Sequence, residues 1–116
     1  MREALTYAAH HRSEFMWPWE DEPVSVAHGI LDDETYDWFE VVHGMLRTGG
    51  TPIVVDEDAL LRANELARQT TGIDVDHTGS AGLAAAVALT EREEIGPNER
   101  VAALFTGARR HPKEER

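Results

Sequence analysis

The chain has 116 residues, an apolar fraction of 41% and a formal net charge of −11, with 22 acidic against 11 basic residues. This charge opposes binding to a nucleic-acid backbone, and no window reaches the roughly 18 to 20 apolar residues that span a bilayer. There is no cysteine, so disulfides and thiolate metal sites are excluded. With no signal-peptide pattern, these features predict a soluble cytoplasmic protein.

The first 22 residues differ in pattern from the rest of the chain. A short helix is predicted over residues 1–12, followed by the segment FMWPWEDEP. Pro18 disfavours the helical conformation at Trp17, so this segment is predicted to be extended or to turn. Two tryptophans so close together require a packing partner. Trp17 and Trp19 therefore either pack on their own subunit or contact another chain.

From Pro23 onward the sequence is regular, and three helices are predicted. Each begins at capping residues, and the first two end at glycines that favour the left-handed conformation. The predicted helices are 33–46, after the acids Asp32 to Glu34 and before Gly49-Gly50; 56–69, capped by Asp56, ended by Gly72 and buried through Ala59, Ala63, Leu66 and Ala67; and a helix rich in small residues that opens at Thr78-Gly79-Ser80.

Two continuous apolar runs, residues 53–55 and 101–105, are predicted to be strands. Strands of this kind alternating with helices are typical of a parallel sheet covered on both faces. The predicted fold class is therefore α/β, a partial parallel sheet with flanking helices in βαβ order. Because so few strands cannot bury both faces of 101–105, we expect the sheet to be incomplete without further strands from a partner or a second copy.

Two candidate sites in the sequence have simpler structural explanations. His28, Asp32, Asp33 and His43 form a possible metal-ligand cluster, but Gly29 interrupts the spacing, and the acids fit the start of a helix better. No metal site is therefore expected.

The second candidate is a hydrolase site that uses Ser80 and His77. The segment TGSAG matches the nucleophile pattern G-x-S-x-G only loosely, because its first glycine is missing. A capped helix start is the better interpretation, and it would also present amides to an anion or polar group. Thr106 and Gly107, which follow the run 101–105, occupy the position where open α/β sheets bind ligands.

Several of these segments, in this order, resemble the C-terminal third of threonine-synthase-like enzymes. These enzymes belong to the tryptophan-synthase-β type, fold type II, of pyridoxal-phosphate (PLP) enzymes. The resemblance covers residues 23–107 and rests on SVAHGILDDETYDW, RTGGTPIVVDEDALLRANELARQTTGIDVDHTGSAGLAAAVAL and GPNERVAALFTG.

The resemblance implies one edge of a cofactor site. Thr106 matches the residue that hydrogen-bonds the pyridine nitrogen of PLP, Gly107 keeps the backbone close, and the stretch up to Gly29 lines the cofactor ring. His77 stands where relatives often have proline. Ala108, Arg109 and Arg110 stand where they have a glycine and a lysine. These departures concern the substrate and not the family.

No catalytic residue is assigned in this chain. The Schiff-base lysine and the glycine-rich phosphate loop belong to earlier parts of such enzymes, and the only lysine here is Lys113 in the tail. The sequence thus predicts a C-terminal segment or small subunit of a PLP-dependent lyase or synthase acting on amino acids. Its partner would be a polypeptide carrying the rest of the enzyme, or a second copy.

Three regions follow from this interpretation. Residues 1–22 form a helix and tryptophan-rich contact segment, 23–107 the C-terminal part of the PLP-enzyme domain, and 108–116 a polar tail. The alternative is a non-catalytic protein-binding or regulatory module on the same scaffold, in which the acidic surface and the FMWPW segment engage a protein partner.

Overall fold

The computed structural model describes residues 2–109, and its regular structure is helical. Helices α1 and α2 belong to one compact unit and helices α3 and α4 to another. The elements are α1 (Arg2–His10), α2 (Trp38–Thr48), α3 (Glu57–Thr71) and α4 (His77–Glu91), with short 3-10 helices at Arg12–Phe15 and His28–Ile30.

The predicted partial parallel sheet is wrong, since residues 2–109 contain no strand. Residues 53–55 and 101–105 have irregular structure, and the β pairing found within 2–109 is one antiparallel bridge between Val75 and Ala108. The physical reason is that a strand is defined by hydrogen bonds to a neighbouring strand, whereas a helix pairs its backbone within itself. An apolar run alone therefore does not specify a sheet.

The first unit comprises residues 2–23 and 31–52. It is held by aromatic contacts, in which the rings of Phe15 and Trp38 lie 5.3 Å apart, and by the guanidinium of Arg12, 4.7 Å from the Phe39 ring centre. Arg12 also donates to both carboxylate oxygens of Glu40, at 2.7 and 3.3 Å. The N-terminal helix predicted from the sequence is confirmed as α1.

Helix α2 begins later than predicted. The side chain of Asp32 accepts a hydrogen bond from the Glu34 amide at 3.0 Å, which closes a local turn instead of capping a helix. The helix therefore starts at Trp38, after Asp37. Its predicted end is confirmed, because Gly49 terminates it in the left-handed conformation at φ 73°.

The second unit comprises residues 24–30 and 53–109, and α3 and α4 pack against each other within it. The Asp56 side chain caps α3 by accepting from the Ala59 amide at 2.8 Å, and Gly72 ends it at φ 71°, both as predicted. Leu66, expected in the buried stripe, is half exposed, and Leu60 is buried instead. The core of the unit is formed by Ala27, Leu60, Ala63 and Ala84.

Candidate functional site

The start of α4 is the best-connected polar region of the second unit. Asp76 is the N-cap, and its carboxylate accepts a hydrogen bond from the Gly79 amide at 2.6 Å. The helix then begins at His77, slightly earlier than the Thr78-Gly79-Ser80 opening expected from the sequence. An aspartate at this position satisfies an amide that the helix itself leaves unpaired.

A buried hydrogen-bond network fixes this turn to α3. Asn64 on α3 donates from its side-chain amide to the Val75 carbonyl at 2.9 Å and to the Ser80 hydroxyl at 3.0 Å. Ser80 in turn donates to the Asp76 carbonyl at 3.0 Å. Asn64 and Ser80 are both buried, so the network holds the first turn of α4 in one position.

The segment after the apolar run 101–105 lies directly on this turn. The Thr106 amide donates to the Gly79 carbonyl at 3.3 Å, and the Asp76 amide donates to the Gly107 carbonyl at 3.3 Å. A side chain on Gly79 would collide with the backbone of Gly107, and a Cβ on Gly107 would lie 2.6 Å from an Asp76 carboxylate oxygen. Glycine is required at both positions for the two backbones to approach so closely.

Gly29 reaches the same turn from a third part of the chain. Its amide donates to the Thr78 hydroxyl at 3.0 Å, and a Cβ on Gly29 would lie 2.9 Å from that oxygen. Gly29, Thr106 and Gly107 are the three cofactor-binding residues expected from the sequence. The structure thus brings all three to the first turn of α4. We call this convergence the α4 site.

Thr106 brings a polar side chain with free hydrogen-bonding capacity to the α4 site. The Thr106 side chain is exposed and makes no hydrogen bond to any other residue within 2–109. A hydroxyl both donates and accepts, so it suits the pyridine nitrogen of PLP. The phosphate end of PLP fits less well. The Gly79 amide already donates its hydrogen bond to the Asp76 carboxylate, and the negative charge of that carboxylate would repel a phosphate. Lys113 lies outside the described residues.

The structure also locates the two weaker candidates. Ser80 is fully buried, and its hydroxyl bonds to backbone carbonyls, including that of His77 at 3.4 Å, so it is not placed to act as a nucleophile. His28 is exposed at the start of a 3-10 helix. Within residues 2–109, no group of three or more histidine and acidic side chains is arranged to hold a metal ion.

Exposed apolar side chains are frequent on the irregular segments of the second unit. Val24 is 91% exposed, Val54 89% and Leu104 77%. The backbone of residues 101–105 makes no hydrogen bond to the rest of the described chain. Extended segments with apolar side chains and unpaired backbone groups are typical of surfaces that another polypeptide covers.

The tryptophan segment lies in the first unit. Trp17 is 73% exposed and lines a cleft of about 450 Å³, together with Pro18, Tyr36 and Trp38. Trp19 is also exposed but does not line this cleft. The aromatic side chains of FMWPW are thus on the surface of their own unit.

Asn64 is the main residue of the α4 site that is not among the residues predicted from the sequence. Its position four residues after Leu60 and three before Ala67 places it on the buried face of α3. A polar residue inside a buried stripe requires hydrogen-bond partners, and this spacing was the available signal.

Comparison of the chain with protein-family models, with curated protein sequences and with solved structures gave no match. None of the helices within residues 2–109 has the length and apolar character needed to cross a membrane.

Proposed function

We propose that this chain is the C-terminal segment or small subunit of a PLP-dependent lyase or synthase, resembling threonine synthase, that acts on amino acids. The observation that carries the proposal is the convergence of Gly29, Thr106 and Gly107 on the first turn of α4. Gly29 is far in the sequence from the neighbouring residues Thr106 and Gly107, and the family resemblance independently assigns all three to the cofactor.

In this proposal the chain contributes a binding edge rather than a reacting group. PLP, when bound, supplies the electron sink for elimination or replacement on an amino acid. Thr106 would hydrogen-bond the pyridine nitrogen through its hydroxyl. A neutral hydroxyl does not enforce protonation of that nitrogen, and so it tunes the cofactor. The close packing of Gly107 on Gly79 would hold Thr106 in place.

The lysine and the phosphate loop would come from a partner polypeptide. The exposed apolar side chains of Val24, Val54 and Leu104 support the presence of a partner, because contact with another polypeptide would remove their apolar surface from water, which is energetically favourable. We propose that the partner covers these segments and brings its phosphate loop to the α4 site from outside.

Reconstitution tests this proposal. The chain is purified alone and together with the polypeptide whose reading frame adjoins its own, and each sample is titrated with PLP while its visible absorbance is recorded. We expect the spectrum of protein-bound PLP from the pair and not from the chain alone. A covalent PLP adduct formed by the isolated chain, or a stable pair without PLP binding, would contradict the proposal.

A matched pair of variants isolates the role of Thr106. Thr106→Val removes the hydroxyl and keeps the shape of the side chain, whereas Thr70→Val makes the same change at an exposed position on α3. We expect weaker PLP binding and a shifted absorption maximum with Thr106→Val only. Equal effects of the two variants would show that Thr106 does not contact the cofactor.

A further inference from the structure

The cleft of the first unit combines aromatic rings with carboxylates. It has a volume of about 450 Å³, and Trp17, Tyr36 and Trp38 supply its rings. Asp33 and Glu34 lie on its wall. We call this feature the aromatic cleft. It takes no part in the proposed function and lies in a different unit from the α4 site.

The unit that carries the cleft is strongly acidic. Residues 2–23 and 31–52 contain ten acidic residues against three arginines, a formal charge of −7 with histidine neutral. Within the described chain, neither Asp33 nor Glu34 forms a salt bridge. The carboxylate of Glu34 accepts a hydrogen bond from the Tyr36 hydroxyl, and this bond raises the pKa of Tyr36. The field in the cleft therefore favours a cation.

The same unit already binds one arginine in this way. The guanidinium of Arg12 lies 4.7 Å from the centre of the Phe39 ring and donates to both carboxylate oxygens of Glu40. This contact combines a cation–π interaction with a two-pronged hydrogen bond to a carboxylate. Arg12 also lines the aromatic cleft, but its guanidinium is held by Phe39 and Glu40, which are not among the residues that line it. The exposed rings and carboxylates of the cleft therefore offer the same pair of groups to a second arginine.

The exposure of the rings indicates a ligand from outside the unit. Trp17 is 73% exposed and Tyr36 is 80% exposed, although burial of large aromatic side chains is energetically favourable. An arginine side chain suits both the aromatic rings and the carboxylates of the cleft. Its planar guanidinium stacks on an aromatic face, while its fixed donors match a carboxylate better than a lysine ammonium does.

We propose that the aromatic cleft docks an arginine-bearing segment of a partner polypeptide. The guanidinium stacks on Trp17 and pairs with Asp33, and the aliphatic part of the side chain covers Trp38. This docking does not depend on PLP and does not require the α4 site.

The test is isothermal titration calorimetry of the full chain with a blocked tetra-arginine peptide. Blocked tetra-lysine and tetra-glutamate peptides are titrated in parallel. We expect saturable binding of tetra-arginine that weakens with added salt, weaker binding of tetra-lysine and no binding of tetra-glutamate. Equal binding of the arginine and lysine peptides would overturn the proposal, because it would show attraction by net charge alone.

Two matched pairs of variants make the test specific to the cleft. Trp17→Ala is compared with Trp19→Ala, which removes a tryptophan of the same segment outside the cleft. Loss of an exposed cation–π contact is expected to weaken binding about two- to fivefold with Trp17→Ala only. Circular dichroism checks that both variants are folded. Equal affinities of the two variants would overturn the proposal.

The second pair concerns the carboxylates. Asp33→Asn and Glu20→Gln change the net charge equally, but Glu20 does not line the cleft. We expect Asp33→Asn to weaken tetra-arginine binding and Glu20→Gln to leave it nearly unchanged. Because Asp33 is partly buried, Glu34→Gln serves as a second cleft variant with an exposed side chain. If Glu20→Gln weakens binding as much as the cleft variants do, the binding is nonspecific and the proposal fails.

Discussion

Asn64 and Ser80 join the two packed helices of the second unit through a buried hydrogen bond of 3.0 Å from the side-chain amide to the hydroxyl. The same amide donates to the Val75 carbonyl at 2.9 Å. Both side chains are almost completely inaccessible to solvent. The α4 site therefore depends on a residue of α3 that touches no ligand position itself.

Replacing Asn64 with alanine removes both bonds and leaves buried polar groups without their partner. We expect Asn64→Ala to lower the free energy of unfolding by about 1 to 3 kcal/mol. Gln69→Ala is the control, because Gln69 is exposed on the same helix and its side chain bonds to no residue within 2–109 other than Glu65. Its effect should stay within about 0.5 kcal/mol. Urea unfolding of both variants measures the difference, and equal midpoints would show that the network does not stabilise the fold.

Two glycines of α4 provide a second matched comparison. A Cβ on Gly79 collides with the Gly107 backbone, whereas a Cβ on Gly82 meets no atom within 4 Å. We expect Gly79→Ala to destabilise the unit by about 1 to 3 kcal/mol through overpacking. Gly82→Ala should stabilise it by up to about 1 kcal/mol, because alanine is the better helix former.

Hydrogen exchange locates the effect of Gly79→Ala. The Thr106 amide donates to the Gly79 carbonyl, so displacement of the 106–107 segment should speed its exchange. The amides in the middle of α3 should be much less affected. If Gly79→Ala and Gly82→Ala have the same stability and the same Thr106 exchange, the close approach of Gly79 and Gly107 is not maintained in solution.

The helices of the second unit follow from local signals in the sequence. Asp56 and Gly72 mark both ends of α3 because capping and left-handed termination involve only residues next to the helix. The start of α4 was predicted slightly late because Asp76, Thr78 and Ser80 are all good capping residues. Only the structure shows that the Asp76 carboxylate is the group that accepts the hydrogen bond of the Gly79 amide.

The sheet was predicted wrongly because pairing between strands is not a local property. Residues 53–55 and 101–105 have the composition of strands, but composition does not specify a neighbour to which their backbone groups could bond. In the structure, 53–55 lies in the connection between α2 and α3, and 101–105 lies in the irregular segment after α4.

The α4 site could be predicted only in part. The resemblance selected Gly29, Thr106 and Gly107, but no pattern in the sequence indicated that they meet at one helical turn. Gly29 and its hydrogen-bond partner Thr78 are 49 residues apart. Contacts over such distances depend on packing that residue spacing does not encode.

Leu60 and Leu61 are neighbours on α3 with opposite environments. Leu60 is buried in the core of the second unit, and Leu61 is 44% exposed. We expect Leu60→Ala to cost about 2 to 5 kcal/mol of unfolding free energy through lost burial and a cavity. Leu61→Ala should have a much smaller effect. Thermal unfolding of the two variants under identical conditions tests this, and a larger loss with Leu61→Ala would mean that α3 packs by a different face.

Glu57 on α3 holds the segment before the His28–Ile30 turn through hydrogen bonds that depend on the protonation state of its carboxylate. The pKa of Glu57 is lowered from its ordinary value of 4.5, chiefly by a hydrogen bond from the Ser25 hydroxyl. A second hydrogen bond, from the Val26 amide at 2.9 Å, lowers it further. The folded state thus favours the carboxylate. The resulting stabilisation is present above the ordinary pKa and is lost as the pH falls through the lowered pKa of the folded state.

We therefore expect Glu57→Gln to remove part of the dependence of stability on acid pH. Urea midpoints are measured between pH 3 and pH 7 for the wild type, for Glu57→Gln and for Asp58→Asn, a neighbouring carboxylate with no hydrogen bond to another described residue. Glu57→Gln should differ most from the wild type near neutral pH and approach it in acid, because the wild-type carboxylate is then protonated. Asp58→Asn should not show this convergence. If it does, the effect belongs to the charge at the start of α3 and not to the contact between Glu57 and the Ser25–Val26 segment.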